Sequence, residues 1–396
     1  MRTVTVVGAS LAGLYAAREL RAQGFDGRLV IVGEEPHQPY DRPPLSKDFL
    51  TGRVGEDRLA LSDAEEIQEL GAEWLLGARA RCLPGPSPAG VHTLRTLDDA
   101  RGLRAALLNG ARRVVVIGGG FIGAETASSC VALGHDVTVV ESAPLPLLPQ
   151  LGPELAAACA ELQRRGGARL LTGVGVAHLL GAPHGSGARH GSGARHGSGA
   201  PHGSGAAPRT EAQAVMGVEL TDGRTLPADL VVVGIGAVPN TDWLVGSETA
   251  VRDVVLCDAG CVTSLPQVVA VGDVARVGGT RAEHWTSATA QPRVAVRNLL
   301  AGRTVERADP LPYFWSDQYG SRIQYAGRRH ESDLVRIVEG STQEGRFLAR
   351  YERDGVTTAV LAVDMPRPFT KARRELARAE ADTPALAPSA PGTTLR

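Results

Sequence analysis

One pattern occurs twice in this chain and restricts its fold more than any other feature. "VTVVGASLAGLYAARELRAQGFDGRLVIVGEE" begins at Val4, and "VVVIGGGFIGAETASSCVALGHDVTVVES" begins at Val114. Each stretch reads as an apolar strand, a glycine turn, an alanine-rich helix, a second strand and an acidic residue. Such a βαβ unit brings a helix N-terminus and bare backbone close to a pyrophosphate. We therefore predict an α/β fold with two Rossmann-like dinucleotide-binding domains.

The second copy carries the complete nucleotide-binding motif. Gly118, Gly120 and Gly123 form GxGxxG, and Glu141 ends the next strand at the spacing of about 20 residues that places an acid on an adenosine ribose. A carboxylate there accepts hydrogen bonds from both ribose hydroxyls and repels the 2′-phosphate of NADPH. The second copy is thus predicted to bind NADH.

The first copy departs from this motif at one position. Gly8 and Gly13 are present, but Ser10 replaces the middle glycine, and the terminal acid is Glu34 or Glu35. A serine hinders close approach of a phosphate without preventing it, although an ordinary α/β turn with no ligand is the alternative. Two such units imply two dinucleotides, of which FAD and NAD are the simplest pair.

Composition excludes several classes of function. The chain has 396 residues, which favours more than one domain. Its formal net charge of -1, from 42 basic and 43 acidic side chains, provides no field for nucleic acid or an anionic membrane. A strand pattern directly follows Met1, and no apolar run reaches the length of a membrane span. We expect a cytoplasmic protein with no nucleic-acid or membrane partner.

The cysteines argue against disulfide and metal chemistry. Five are scattered along the chain, and we expect reduced thiols. Flavin disulfide reductases carry CxxxxC in the helix after the first dinucleotide unit, whereas this chain has no cysteine before Cys82. Cys257 and Cys261 form CxxxC without a second pair or a histidine cluster. No metal site is predicted.

Five further stretches carry a family resemblance. They are "PYDRPPLSKDFLTG" at 39–52, "VVVGIGAVPNTDWL" at 231–244, "VTSLPQVVAVGDVAR" at 262–276, "EHWTSATAQ" at 283–291 and "PYFWSDQYGSRIQYAG" at 312–327. Together they resemble the FAD-dependent NADH:ferredoxin reductases, a family that includes putidaredoxin reductase, rubredoxin reductase and the reductases of aromatic-ring dioxygenases.

The resemblance implies a domain order. An FAD-binding domain at 1–108 and 231–309 is interrupted by an NAD-binding domain at 109–230. A small C-terminal α+β domain follows at 310–396.

The resemblance also implies residue roles. Arg42 is expected to hold the FAD phosphates, and Lys47, on a proline-stiffened loop, to lie near the isoalloxazine ring. Glu125 is expected near the nicotinamide carboxamide, so Lys47 and Glu125 are the candidate catalytic residues. Asp273 can accept hydrogen bonds from ribityl hydroxyls, although Gly-Asp is also an ordinary turn. The remaining cofactor contacts, with Glu35 preferred as the ribose acid, are Glu35, Gly236, Glu283, His284 and Trp285.

The implied function is electron transfer. A hydride passes from NADH to FAD, and single electrons then pass to a [2Fe-2S] ferredoxin, a separate protein that serves a monooxygenase or dioxygenase. Alternatives are an NADH oxidase-like or rubredoxin reductase on the same scaffold, or an FAD-poor NAD-binding relic. Trp285 and Trp315 are expected either to pack in a core or to shield the flavin and contact the partner. A basic dock for the ferredoxin is predicted at Arg293, Arg297, Arg322 and Arg328, and the protein is expected to be a monomer or a homodimer.

Two stretches depart from the family pattern. Residues 182–205 repeat a six-residue Gly/Ser/His unit four times, which predicts a disordered surface loop between edge strands. Only "PGPSPAG" separates Leu83 from Val91, where family members have a hairpin and a strand resembling "YDTLVLATGA" that touches FAD. We therefore predict that the FAD sheet lacks a strand and that FAD is held loosely.

Overall fold

The structure, a computed structural model, describes residues 1–77, 89–110, 112–181, 214–308 and 311–382. The predicted disordered loop at 182–205 lies outside these residues, as does most of the "PGPSPAG" stretch.

The first dinucleotide unit forms a small parallel sheet. Its strands are β1 (Thr3–Val7), β2 (Arg28–Val32) and β3 (Ala72–Leu75), in the order β1-β2-β3. Helix α1 (Leu11–Ala22) connects β1 to β2, and α2 (Ala64–Glu69) precedes β3. In the described residues β1 pairs with β2 alone, and its Val7 is 54% exposed. Among the residues that the structure describes, no strand pairs with the outer side of β1.

The second dinucleotide unit comprises the elements from residue 91 to residue 233. They are β4 (Val91–His92), α3 (Leu97–Leu107), β5 (Arg113–Ile117), α4 (Phe121–Ala132), β6 (Asp136–Glu141), α5 (Leu148–Arg165), β7 (Arg169–Thr172), β8 (Val176–Gly181), β9 (Val215–Leu220), β10 (Thr225–Pro227) and β11 (Leu230–Val233). A parallel sheet has the order β4-β11-β5-β6-β7, and an antiparallel one has the order β10-β9-β8. Strand β5, the counterpart of β1, is interior to its sheet, between β11 and β6.

The parallel sheet of the second unit includes strands from outside residues 109–230. Strand β4 precedes residue 109, yet it pairs with β11. The predicted boundary at 230/231 divides β11, whose Val231 and Val232 are buried between β4 and β5. Strand β11 covers the edge of β5, and β4 covers the edge of β11, so the sheet draws strands from both sides of 109–230.

The strands that flank residues 182–205 lie side by side. Strands β8 and β9 are antiparallel, and Gly181 lies opposite Val215. Because of this pairing, the segment that connects β8 to β9 starts and ends at neighbouring positions. Strand β8 lies at the edge of its sheet.

The chain then returns to the first unit. Strands β12 (Val255–Cys257), β13 (Ala275–Val277) and β14 (Thr280–Arg281) form a small sheet before α6 (Trp285–Ala301). Helix α6 packs on α1, where Val296 and Leu299 share a core with Leu14 and Leu20. The helix ends at Gly302, whose φ of +68° suits a residue without a Cβ.

The C-terminal region is an antiparallel sheet covered by helices. Its strands β15 (Tyr313–Gln318), β16 (Ser321–Gly327), β17 (Leu334–Ser341), β18 (Arg346–Arg353) and β19 (Val356–Val363) have the order β15-β16-β19-β18-β17, and α7 (Pro366–Asp382) ends the described chain. Phe369 and Leu376 of α7 pack on one face, and Leu151 and Leu155 of α5 pack on the other. The predicted C-terminal α+β domain thus shares a core with the second unit.

No helix in the described residues is both long enough and apolar enough to cross a membrane.

Candidate functional site

The two glycine turns have the same backbone geometry. Gly8 and Gly118 have φ values of +114° and +102°, which disfavour any residue with a Cβ. A Cβ on Gly13 would overlap the carbonyl oxygen of Gly8, and one on Gly123 would overlap that of Gly118. Both turns therefore bring strand, turn and helix into contact at a bare backbone, the arrangement that a dinucleotide pyrophosphate requires.

The middle position of each turn differs between the copies. Gly120 is the N-cap of α4, and a Cβ there would meet no heavy atom within 4 Å. Ser10 is the N-cap of α1, and its hydroxyl makes no capping hydrogen bond. In neither copy does the N-cap side chain bond the first-turn amides of the helix, so these donors are left to a phosphate.

The glycines of the second turn allow a test that separates folding from binding. Gly123→Ala is expected to lower the melting temperature and to abolish NADH binding, because its methyl group overlaps backbone. Gly120→Ala has open space and an extended backbone, with φ −65° and ψ 178°, so it should fold normally while weakening NADH binding. Thermal unfolding and NADH titration of both variants provide the measurement. Equal stability of the two variants would contradict the geometry.

Glu141 lies against the second turn. Its Oε2 accepts a hydrogen bond from the Gly119 amide at 2.7 Å, and its Oε1 accepts one from the Ala143 amide at 2.8 Å. These bonds hold the carboxylate at the carboxyl end of β6, beside the turn. The position is the one from which an acid reaches an adenosine ribose.

Glu35 follows β2 in the first unit and is engaged by two neighbours. It accepts hydrogen bonds from the Tyr40 hydroxyl and from the Arg42 guanidinium, each at 2.6 Å. Burial, with the Glu35 carboxylate beside it, raises the pKa of Tyr40. The predicted ribose acid and the predicted phosphate ligand, Arg42, are thus brought together on one side of the first turn.

Glu125 is the point where three parts of the chain meet. Its carboxylate, which is 4% exposed, accepts hydrogen bonds from the Ser46 hydroxyl at 2.6 Å, Lys47 Nζ at 3.1 Å and the Ser316 hydroxyl at 2.7 Å. Lys47 Nζ also lies 4.0 Å from Asp317 Oδ2. The two candidate catalytic residues are therefore in direct contact, between the first unit, the second unit and the C-terminal sheet.

The Gly-Asp turn lies beside the start of α1. The Gly272 amide donates to Gln291 Oε1 at 2.7 Å, and a Cβ on Gly272 would lie 3.2 Å from the Cβ of Ala12. Asp273 pairs with Arg95, whose Nη2 is 3.2 Å from its Oδ2. Neither residue was predicted from the sequence: Arg95 belongs to no local motif, and Gln291 ends the stretch at 283–291 without a role of its own being assigned.

The start of α6 faces the same region. Trp285 Nε1 donates to Asp41 Oδ1 at 3.0 Å, and burial raises the pKa of Asp41. His284 contacts Phe314 with ring centroids 5.2 Å apart, and burial lowers its pKa. Glu283, by contrast, is exposed and paired with Arg281.

Aromatic rings extend from α6 into the C-terminal sheet. Trp285 contacts Trp315 edge-on with centroids 6.2 Å apart, and Trp315 stacks on Tyr313 at 5.8 Å. All three side chains are half-buried. They are neither fully in a core nor fully at the surface, and we call them the aromatic run.

The loop after β11 exposes apolar side chains next to the second turn. Ile235 is 75% exposed and Val238 is 94% exposed, while Gly236 between them has a φ of +114°. Ile122, in the first turn of α4, is 48% exposed. Exposed apolar groups at the carboxyl ends of parallel strands are typical of a ligand site at that edge.

The cysteines of the described chain are free thiols. Burial raises the pKa of Cys257 to about 11 and that of Cys261 to about 12, so both are protonated at neutral pH. Cys82 lies outside the described residues. Within those residues, no group of three or more His, Cys, Asp or Glu side chains is placed to hold a metal ion.

The four arginines of the predicted basic dock do not form one unpaired surface. Arg293 and Arg297 of α6 both pair with Glu306. Arg322 of β16 pairs with Asp317, and Arg328, directly after β16, pairs with Glu380. Because acidic neighbours compensate these charges, the attraction that the dock requires is largely cancelled there.

Comparison with known proteins identifies the family. Residues 2–76 and 55–292 match the pyridine nucleotide-disulphide oxidoreductase model, and residues 313–396 match the reductase C-terminal model. The chain belongs to the pyridine nucleotide-disulphide oxidoreductase family. This family uses FAD and NAD(H), and its members are oxidoreductases, as the resemblance predicts.

Two curated relatives and one solved structure are similar to this chain over most of its length. The chain is 34% identical to the ferredoxin–NAD(+) reductase component of the biphenyl dioxygenase system of Paraburkholderia xenovorans, over 94% of this chain and 92% of that protein. It is 29% identical to putidaredoxin reductase of Pseudomonas putida, over 94% and 90%. The reductase in the covalent putidaredoxin reductase–putidaredoxin complex superposes with a TM-score of 0.80 at 28% identity, over 95% of this chain and 93% of that one.

The alignment with the Paraburkholderia protein is longer than the part of this chain that it covers. The match to the Paraburkholderia protein spans 412 positions but covers 94% of 396 residues, or about 372, so about 40 positions face a gap in this chain. The first family match ends at residue 76, next to the short connection. The geometry of both glycine turns fits a dinucleotide, and in the described residues the first turn lies at an edge strand.

Proposed function

We propose that this chain transfers electrons from NADH, through FAD, to a separate [2Fe-2S] ferredoxin that serves a monooxygenase or dioxygenase. The observation that carries the proposal is the Lys47–Glu125 contact at 3.1 Å, which joins two glycine turns of matching geometry. When bound, FAD accepts a hydride and releases its electrons singly. Relatives named as ferredoxin–NAD(+) reductases support the same reaction.

We call the place where the two dinucleotide units and the C-terminal sheet meet around Glu125 the junction. Its side chains fix the positions of charged groups. Glu125 fixes the Lys47 ammonium between the two turns, where a cation favours negative charge on a reduced ring. Asp41 and Trp285 bond each other and fix the start of α6 against the proline-stiffened loop. Asp273 offers an acceptor beside the start of α1. The chain thus supplies geometry and electrostatics, and no proton donor is required for hydride transfer.

The sequence separates this reaction from the disulfide chemistry in the family name. Helix α1 contains no cysteine, and none precedes Cys82. No pair of cysteines beside the first turn can therefore accept electrons from the flavin. This favours an electron acceptor on a separate protein.

A second candidate, an FAD-poor NAD-binding protein, is favoured by one observation. Strand β1 is a sheet edge in the described residues, whereas β5 has a neighbour on each side. A visible spectrum and a ferredoxin-reduction assay distinguish the candidates. Bound flavin with NADH-dependent ferredoxin reduction supports the reductase, and a colourless protein that binds NADH supports the second candidate.

We also propose a cytoplasmic location. Its support is that the described cysteines are unpaired thiols, the form that a reducing compartment maintains.

Cofactor preference provides a prediction for Glu141. Glu141→Ala removes the acceptor for two ribose hydroxyls, so we expect kcat/KM for NADH to fall by about 10-fold or more. The advantage of NADH over NADPH should narrow in the same variant because the repelling charge is lost. Steady-state kinetics with ferricyanide as acceptor provide the measurement. Glu344→Ala, an exposed glutamate between β17 and β18, is the control, and equal use of NADPH by the unmutated protein would contradict the assignment.

A further inference from the structure

The turn between β15 and β16 places one of its side chains in the core of the second dinucleotide unit. Tyr319, in this turn, has a φ of +51°, in the left-handed region that favours glycine. Its ring packs against a buried cluster that includes Cys130 of α4 and Ala168 just before β7. A residue with a Cβ keeps such a backbone conformation only where its surroundings hold it there.

Two contacts hold Tyr319 against the ends of α4 and α5. Its backbone amide donates a hydrogen bond to Ser128 Oγ of α4 at 2.6 Å. A Cβ on Gly166, the C-cap of α5, would overlap the Tyr319 ring. The backbone of Gly166 is in an ordinary helical conformation, with φ −72° and ψ −4°. The ring of Tyr319, and not the backbone, therefore excludes a side chain at this position.

The hydroxyl group of Tyr319 takes no part in these contacts. It is buried and has no hydrogen-bond partner among the described residues, and burial raises the pKa of Tyr319. A buried donor without a partner destabilises a protein. The contribution of this side chain is therefore the volume of its ring.

The strand that precedes Tyr319 is attached to both dinucleotide units. At the start of β15, the Tyr313 carbonyl accepts a hydrogen bond from the Thr286 hydroxyl of α6 at 2.9 Å. At its end, Ser316 donates to Glu125 of α4 at 2.7 Å and accepts from Gln318 Nε2 at 3.2 Å. Strand β15 thus connects α6, which packs on α1 of the first unit, to α4, which begins at the second glycine turn.

We propose that Tyr319 is a positioning residue for hydride transfer, which holds α4 and the second glycine turn at a fixed distance from the first unit. Tyr319 touches neither glycine turn and acts through its contacts with Ser128 and Gly166. The inference rests on the NADH-to-FAD step of the proposed function and is independent of the final electron acceptor. Hydride transfer is sensitive to this position, because a displacement of about 1 Å can slow a reaction about 100-fold.

A double-mutant cycle tests the contact between the ring and α5. Tyr319→Ala removes the ring, and Gly166→Ala places a methyl group where the ring lies. The two substitutions are also combined in one protein. Tyr319→Phe keeps the ring and removes the hydroxyl. Gly102→Ala is the matched control, because a Cβ at this exposed position of α3 meets no heavy atom within 4 Å.

Single-turnover reduction of FAD-reconstituted protein by NADH gives the first readout. Tyr319→Ala and Gly166→Ala are each expected to lower the limiting rate of flavin reduction about 10-fold. The Kd for NADH, measured on FAD-depleted protein, should stay normal because the second glycine turn is intact in both variants. Tyr319→Phe and Gly102→Ala should reduce flavin at the normal rate.

Thermal unfolding gives a second readout that does not depend on bound cofactor. Gly166→Ala should lower the melting temperature of the unmutated protein but not that of Tyr319→Ala, in which no ring remains to be displaced. Tyr319→Phe should melt at the same temperature as the unmutated protein or above it, because it removes a buried donor without a partner.

Three results would overturn the positioning role. They are a normal limiting rate in Tyr319→Ala or Gly166→Ala, an equal loss of rate in Tyr319→Phe, and a loss of rate that is explained by a weaker Kd for NADH. If Tyr319→Ala does not fold, Gly166→Ala and Tyr319→Phe still separate the ring from the hydroxyl. Failure of NADH to reduce flavin bound to the unmutated protein would instead contradict the proposed function itself.

Discussion

Protein purified without added FAD is expected to lose most of its flavin on extended dialysis and to regain activity when FAD is supplied. The physical reason is the open side of β1, which in the described residues has β2 as its one neighbour. The missing strand would have flanked the cofactor, and its loss uncovers backbone groups and removes contacts to FAD. A loss of about 3 kcal/mol of contacts corresponds to about 100-fold weaker FAD binding.

The second unit is an internal control for flavin loss. Strand β5 lies between β11 and β6, so NADH affinity should be insensitive to dialysis. The measurement combines flavin absorbance per polypeptide with NADH–ferricyanide activity, with and without added FAD. A variant that carries the family's hairpin and strand between residues 83 and 89 should retain flavin. Full flavin after dialysis of the unmutated protein, with no stimulation by FAD, would show that the strand is dispensable.

Glu125→Ala is expected to have the second large effect, on both stability and hydride transfer. The substitution leaves three donors, Ser46, Lys47 and Ser316, without their buried acceptor. Breaking a buried charge pair in this way costs about 3 kcal/mol. Misplacement of Lys47 by about 1 Å can reduce the rate of flavin reduction by NADH about 100-fold. Urea unfolding and single-turnover flavin reduction provide the two measurements.

Ser316→Ala separates the structural effect from the effect on the reaction. It removes one donor from the C-terminal sheet but keeps the Lys47–Glu125 contact. We expect a stability loss of about 1 kcal/mol and a nearly normal rate of flavin reduction. If Glu125→Ala reduces flavin as fast as Ser316→Ala does, Glu125 has a structural role alone.

The arrangement of the junction depends on contacts between distant parts of the chain. Ser46 and Glu125 are separated by 79 residues, and Ser316 and Glu125 by 191. The family resemblance implied a role for Lys47 and a role for Glu125, but it did not imply that the two side chains are in contact. Their contact, and the part that Ser46 and Ser316 have in it, follows only from the packing of two dinucleotide units and a C-terminal sheet around one carboxylate.

The sequence by itself determined the two glycine turns and, with the family resemblance, the cofactors. These features are local, because a positive φ at Gly8 and Gly118 and the close approach at Gly13 and Gly123 restrict each position to glycine. The short "PGPSPAG" connection likewise predicts an edge at β1, since seven residues cannot form a hairpin and a strand.

Only the tertiary structure determines which cationic side chains have an acidic partner nearby. Arg293 and Lys371 are both exposed cations on helices, and the sequence offers no reason to prefer one. Arg293 is compensated by Glu306, which reaches it after the helix has ended, whereas Glu375 and Glu380 of α7 pair with Arg350 and Arg328. The field around a side chain depends on its neighbours in space, so the sequence analysis predicted the dock at arginines whose charges are compensated.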